Sequence, residues 1–191
     1  GCGLGVALRA FMLGCDKAKI PQNQRAVVSG IGCTARAAGY LRMDSFHTTH
    51  GRALPFATGL KLAKPELTVS VFSGDGDLFA IGGNHFIHAA RRNIDLTVIM
   101  LNNGIYGMTG GQMAPTTPLK GRTQTTPSGN IEFPFDVCTL AQAAGATYVA
   151  RGFSGENLHL ANLMKGAIEH KGFALVDVFS PCVTYNKHNT Y

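Results

Sequence analysis

Two places in the 191-residue chain carry residue types that can hold a divalent metal against a diphosphate. One is Asp75, set inside Gly74-Asp75-Gly76; the other is Asn102-Asn103, which follows after residues 77–101. Mg²⁺ takes six oxygens in near-octahedral geometry and shares them between a few protein groups and substrate phosphates. One carboxylate, one amide oxygen and one backbone carbonyl just past Asn103 would meet that demand. Either piece alone reads equally well as a turn. Together, each after an apolar run and separated by one crossover, they point to a site.

The flanking elements must position these residues. Residues 67–73 (LTVSVFS) are short, apolar and rich in β-branched side chains, the pattern of a buried parallel strand. Gly74 and Gly76 let the chain turn sharply at its end. Residues 78–92 read as one helix whose first amides face the turn, where unpaired donors and the helix dipole favour a diphosphate. Residues 96–101 (LTVIML) form the next strand, returning parallel because such crossovers are nearly always right-handed. Asp75 and Asn103 then share the carboxyl edge, where open parallel sheets bind ligands.

Taken in order, residues 6–13 predict a helix and residues 25–29 a short strand that delivers Gly30-Ile31-Gly32-Cys33 to the same edge. A polar, irregular stretch reaches His50. A helix follows over 51–64, with Pro55 tolerated in its first turn. The Gly-, Thr- and Pro-rich residues 104–134 read as a loop folding over a cofactor. Helices over 136–144 and 155–171 and strands over 147–150 and 173–179 complete the alternation, and residues 180–191 are too polar for another core element. This predicts an α/β fold: a doubly wound, mainly parallel sheet with helices on both faces, forming one domain over 1–191.

Composition bounds the function. A chain 45% hydrophobic and 15% charged is globular, and its 24 glycines suggest close backbone approaches to a ligand. No apolar run reaches the roughly 18 residues of a membrane span. The net charge of +6 comes from scattered lysines and arginines, without the basic clusters of a nucleic-acid face, though attraction to an acidic carrier remains open. No secretory leader is legible, and five cysteines without compact spacing form no disulfide framework, so the expected compartment is the cytoplasm. His47/His50 and His85/His88 are each spaced three apart, but neither pair has a third ligand placed by sequence.

Across almost its whole length the chain resembles the β subunit of 2-oxoacid:ferredoxin oxidoreductases, especially the 2-oxoglutarate branch. The blocks that carry this are Gly1-Cys2-Gly3, SGIGC (29–33), HTTHGRALPFATG (47–59), GDGDLFAIGGNHFIHAARRN (74–93), LNNGIYGMTGGQ (101–112), PTTP (115–118) and SPCVTYN (180–186). The resemblance implies thiamine diphosphate and Mg²⁺, with Asp75, Asn103 and the Ile105 carbonyl as metal ligands. It implies a cofactor-binding set of Gly74, Asp75, Gly76, Asp77, Asn103, Ile105, Gly107 and Thr109. It also implies a 4Fe–4S cluster held by Cys2, Cys33 and Cys182, with a fourth thiolate expected before Gly1, so the chain reads as part of a longer β subunit. Cys15 and Cys138 match no ligand position and read as buried small apolar residues.

The implied chemistry is attack of the cofactor's carbanion on the keto carbon of a 2-oxoacid, loss of CO₂, and transfer of single electrons through the cluster to ferredoxin. Coenzyme A then takes the acyl group. None of the glutamates, Glu66, Glu132, Glu156 and Glu169, stands in a motif suited to activating the cofactor. The resemblance places that residue on a partner α subunit, and so the active site at a subunit interface. Arg36 and His50 are the catalytic candidates, Arg36 because a guanidinium grips a distal carboxylate with two parallel hydrogen bonds. Alternatives are a branched-chain 2-oxoacid enzyme, a non-redox thiamine diphosphate decarboxylase or synthase that needs no cysteines, and a non-catalytic phosphate-binding module.

Overall fold

The computed structural model describes residues 1–186. Six parallel strands form its sheet: β1 (Arg25–Ser29), β2 (Asp44–His47), β3 (Thr68–Gly74), β4 (Leu96–Asn102), β7 (Tyr148–Phe153) and β8 (Phe173–Phe179), in the order β2-β1-β3-β4-β8-β7. A separate two-stranded hairpin pairs β5 (Ile105–Tyr106) with β6 (Gln112–Met113). The chain leaves β1 for β2 on one side and then crosses back to β3 on the other. Loops at the carboxyl ends of β1 and β3 therefore diverge and leave a crevice between them, the switch point where such sheets bind ligands.

Every residue of β4 is buried, because helices cover both faces of the sheet. Ile99 and Leu101 point into one layer with α1 (Leu4–Lys17) and α5 (Asn157–Glu169). Val98 and Met100 point into the other, with α2 (Ala53–Ala63), α3 (Gly83–Arg91) and α4 (Val137–Ala143). In α1 the buried Ala7, Ala10, Phe11, Gly14 and Cys15 recur at helical spacing and face the buried stripe of α5. Phe11 meets Phe72 of β3 edge-to-face at 5.1 Å between ring centroids, tying that helix to the strand that carries the Gly-Asp-Gly segment.

Local structure departs from expectation in three places. The stretch read as irregular contains a 3₁₀ helix, Thr34–Tyr40, and the edge strand β2. All four residues of β2 are exposed, so no hydrophobic alternation marked it. The single helix expected over 78–92 is two pieces: a π-helical turn, Gly76–Ile81, and α3, which starts at Gly83. The first amides after Asp75 are therefore those of the π turn, which follows Asp75 directly, a feature common at functional sites. Finally, residues 104–134, read as a loop, contain the β5–β6 hairpin and are cross-linked by their own hydroxyl and amide groups. Among the described residues, no helix is long and apolar enough to cross a membrane.

Candidate active site

Asp75 sits at the end of β3 and is 2% exposed. Its Oδ1 accepts from the Gly76 amide at 3.0 Å, and its Oδ2 accepts from the Gly104 amide at 2.9 Å and from the Thr116 hydroxyl. None of these donors is a cation. Burial pushes the carboxyl pKa up to about 6, even though the bonds from Thr116, Gly76 and Gly104 pull it down. A buried carboxylate with no positive partner is what a divalent cation would compensate. Gly104 supplies its amide from a left-handed conformation, φ +67°, which turns the chain immediately after Asn103. The Asn103 side-chain oxygen accepts from the Ile105 amide at 3.2 Å, and its carbonyl accepts from Asn186 at 2.8 Å. Asp75, Asn103 and Ile105 thus line one cavity of about 80 Å³, together with Gly74, Gly76, Asp77, Gly107, Thr109 and His50.

Gly76 owes its identity to a close approach rather than to a sharp turn. A Cβ there would stand 2.2 Å from the Tyr106 ring, whose hydroxyl donates to the Gly76 carbonyl at 3.2 Å. Tyr106, on the hairpin, is a site residue that the motif reading passed over. Asp77 lines the cavity, but its carboxylate is taken up by protein. Oδ1 accepts from the amides of Ile31 (3.2 Å) and Gly51 (2.7 Å), and Oδ2 accepts from the Ser73 hydroxyl at 2.5 Å. One carboxylate therefore holds the loops after β1 and β2 against the π turn. His50 Nδ1 lies 2.7 Å from Asp77 Oδ1, close but off the line of a well-directed hydrogen bond. That contact turns the opposite edge of the imidazole away from Asp77, with the ring on the cavity wall.

A second cavity of about 200 Å³ adjoins the first and is lined by Cys2, Cys33 and Cys182. The three thiols arrive from the chain start, the end of β1 and the segment after β8. Burial first, then the neighbouring Cys182 and Cys2, raises the Cys33 thiol above its ordinary value, so the sulfurs feel one another's charge. A Cβ on Gly107 would stand 3.4 Å from Cys182 Sγ and 3.8 Å from Cys33 Sγ, in ordinary contact with both, which places this residue on the floor between the two sulfurs. Among the described residues, no three His, Cys, Asp or Glu side chains stand together as a cage for a single ion. The shared cavity is the better guide here, because a cubane cluster spreads its thiolates over separate irons. These residues fit an iron–sulfur cluster, as the Asp75 cavity fits a metal diphosphate.

Arg36 is brought to neither cavity: it lies exposed on the 3₁₀ helix, its amide donating to the Cys33 carbonyl at 3.3 Å. His47 bonds Ser29 at 3.0 Å, while His85 and His88 line a separate groove with Arg92. Cys15 packs in the core, where burial lifts its thiol to about 11, and Cys138 lies 3.9 Å from the buried Asp177. The residue most clearly missed is Thr116. It lies 41 positions from Asp75, and only its place in the PTTP block marked it.

Comparison with known proteins agrees with this geometry. Residues 22–178 match the family model described as thiamine pyrophosphate enzyme, C-terminal TPP binding domain. The chain is 54% identical over 185 residues to the 2-oxoglutarate synthase subunit KorB of Methanocaldococcus jannaschii, covering 97% of this chain and 68% of that protein. It is 45% identical to the 2-oxoacid:ferredoxin oxidoreductase subunit beta of Saccharolobus solfataricus, covering 100% and 63%. A solved structure of 2-oxoglutarate:ferredoxin oxidoreductase from Magnetococcus marinus, with 2-oxoglutarate, coenzyme A and succinyl-CoA bound, superposes with a TM-score of 0.98 at 43% identity, covering 100% of this chain and 65% of that one. The chain spans about two-thirds of the length of these proteins. With a family model over most of its residues and relatives this similar, the chain belongs to the thiamine pyrophosphate enzymes, in the branch formed by the β subunits of 2-oxoacid:ferredoxin oxidoreductases.

Proposed function

We propose that this chain is the thiamine diphosphate-binding part of a 2-oxoglutarate:ferredoxin oxidoreductase β subunit. In this reading 2-oxoglutarate and coenzyme A become succinyl-CoA and CO₂, and two electrons leave one at a time for ferredoxin. The observation that carries it is the wall between the two cavities. Cys33, Thr34, Asn103 and Gly107 line both, so a metal-diphosphate pocket and a three-thiol pocket are separated by single residues. A non-redox decarboxylase would have no use for the second pocket, and a phosphate-binding module would need neither the thiols nor the buried carboxylate.

In the proposed holoenzyme, thiamine diphosphate supplies the carbanion that lets a 2-oxoacid lose CO₂, and a 4Fe–4S cluster carries the electrons away. The chain's own residues bind and orient. Asp75, Asn103 and the Ile105 carbonyl would hold Mg²⁺ against the diphosphate, and Cys2, Cys33 and Cys182 would hold the cluster. Gly74, Gly76, Gly107 and Thr109 shape the cavity wall, and His50, braced by Asp77, can hold or pass a proton at its free ring nitrogen. No glutamate lines the Asp75 cavity, which supports a site completed by a partner α subunit. Arg36, exposed and outside both cavities but three residues past Cys33, remains the candidate for the substrate's distal carboxylate, and the free thiols suit a reducing cytoplasm.

The test is a panel of 2-oxoacids on the purified complex with its partner subunit, scored by coenzyme A-dependent ferredoxin reduction. The highest kcat/KM should fall to 2-oxoglutarate. Preference for a branched-chain acid would move the assignment to the general 2-oxoacid enzymes, and turnover without acceptor reduction would sink the redox reading.

A further inference from the structure

Behind the metal site, on the side away from the cofactor cavity, lies a lattice of hydroxyl and amide groups from the long loop after the β5–β6 hairpin. Thr116 donates its hydroxyl to Asp75 Oδ2, but it lines a different cavity of about 150 Å³, with Asn103, Gly104 and Pro118. It therefore touches the carboxylate from the rear. Next to it, Thr117 is 2% exposed; its hydroxyl donates to the Gly104 carbonyl at 2.6 Å and accepts from the Ala114 amide at 2.8 Å. The buried Asn130 closes the lattice. Its amide nitrogen donates to the carbonyls of Thr117 (3.0 Å) and Glu132 (2.9 Å), and its oxygen accepts from the Glu132 amide at 2.9 Å.

We propose that Thr116 is a positioning residue that sets the rotation of the Asp75 carboxylate for magnesium, and that Thr117 and Asn130 hold it in place. This rests on the magnesium–diphosphate reading of the Asp75 cavity. Oδ2 accepts from two donors on different segments, the Gly104 turn and the Thr116 loop, and the lattice fixes those segments relative to each other through Thr117. Two anchors on one oxygen fix the plane of the carboxylate, and a small ion with strict octahedral demands gains from that restriction. Without the Thr116 hydroxyl, this deeply buried carboxylate loses a charge-assisted bond and is held only by the Gly76 and Gly104 amides, which restrict its rotation less.

The experiment compares wild type, Thr116→Val and Thr116→Ser in the full enzyme with its partner subunit, titrating Mg²⁺ and thiamine diphosphate by calorimetry. Valine keeps the shape and loses the donor; serine keeps the donor. The apparent Kd for Mg²⁺ should rise roughly tenfold or more in Thr116→Val, the size expected for a hydrogen bond to a charged group. It should stay within about threefold in Thr116→Ser. Excess Mg²⁺ should restore thiamine diphosphate binding to Thr116→Val, with melting temperature and iron content at wild-type values. If Thr116→Val does not fold, Thr116→Ala carries the same comparison. Wild-type Mg²⁺ affinity in the variant lacking the hydroxyl would overturn the proposal, as would equal losses of melting temperature and iron in the valine and serine variants. Absence of Mg²⁺-dependent binding in the wild type would instead overturn the cofactor reading, and this inference with it.

Discussion

The two carboxylates at the cavity around Asp75 already accept hydrogen bonds from the protein, whereas the thiol cavity beside it is lined by three free thiols. On the first side, Asp75 and Asp77 between them accept from amides at Ile31, Gly51, Gly76 and Gly104 and from the hydroxyls of Ser73 and Thr116. On the second side, Cys2, Cys33 and Cys182 are free thiols in a cavity more than twice as large, brought from three distant segments. The first region is organised before any ligand arrives; the second is organised by the sheet alone and would be completed by iron. Damage to the first should therefore appear as lost affinity in a sound fold, and damage to the second as lost metal.

The largest effect should follow removal of Asp75, a buried carboxylate whose hydrogen-bond donors include no cation. Asp75→Ala should weaken thiamine diphosphate binding by at least about a hundredfold while leaving iron content near wild type. Calorimetry showing undiminished affinity would abolish the distinction between the two regions. Asn103→Ala, which removes a neutral ligand, should cost roughly tenfold. Cys33→Ser tests the other side: most of the iron should be absent by colorimetric assay, with thiamine diphosphate affinity within about threefold of wild type. A parallel loss of cofactor would mean that the shared wall makes the cavities one unit.

Chelation offers the same contrast without mutation. Dialysis against EDTA should release thiamine diphosphate, followed by its ultraviolet absorbance, and leave the visible absorbance of the cluster in place, because thiolates hold iron far more tightly than oxygens hold Mg²⁺. The smallest effect is expected at Arg36, which lies outside both cavities. Arg36→Met should raise the apparent KM for 2-oxoglutarate by roughly three- to fivefold and spare a branched-chain 2-oxoacid that has no second carboxylate. Equal losses on both substrates would assign Arg36 to electron transfer or to the partner surface.

Some of this was legible from local pattern. Residues 96–101 read as a buried strand because five of the six positions are apolar and the sixth, Thr97, is β-branched, and β4 is buried throughout. Asp75 and Asn103 fell on one edge because strand–helix–strand units have one hand, and β3 and β4 do pair in parallel. The edge strand β2 escaped notice because a four-residue exposed segment has no alternation to read. Residues 78–92 read as one helix, but the π turn closes with the Gly82 amide on the Asp77 carbonyl at 3.0 Å and α3 starts afresh at Gly83, a break that no local pattern marks.

The sequence by itself determined the strand order's raw material, the metal-binding residue types and their shared edge, since these follow from periodicity and the handedness of crossovers. Only the tertiary structure decided that Asp77 braces loops, that Thr116 reaches Asp75 from 41 residues away, and that three unspaced cysteines meet over Gly107. The physical reason is that buried polar groups must be satisfied by whatever the packed chain brings within 3 Å or so, and that partner is set by the sum of all the packing rather than by any neighbour in sequence.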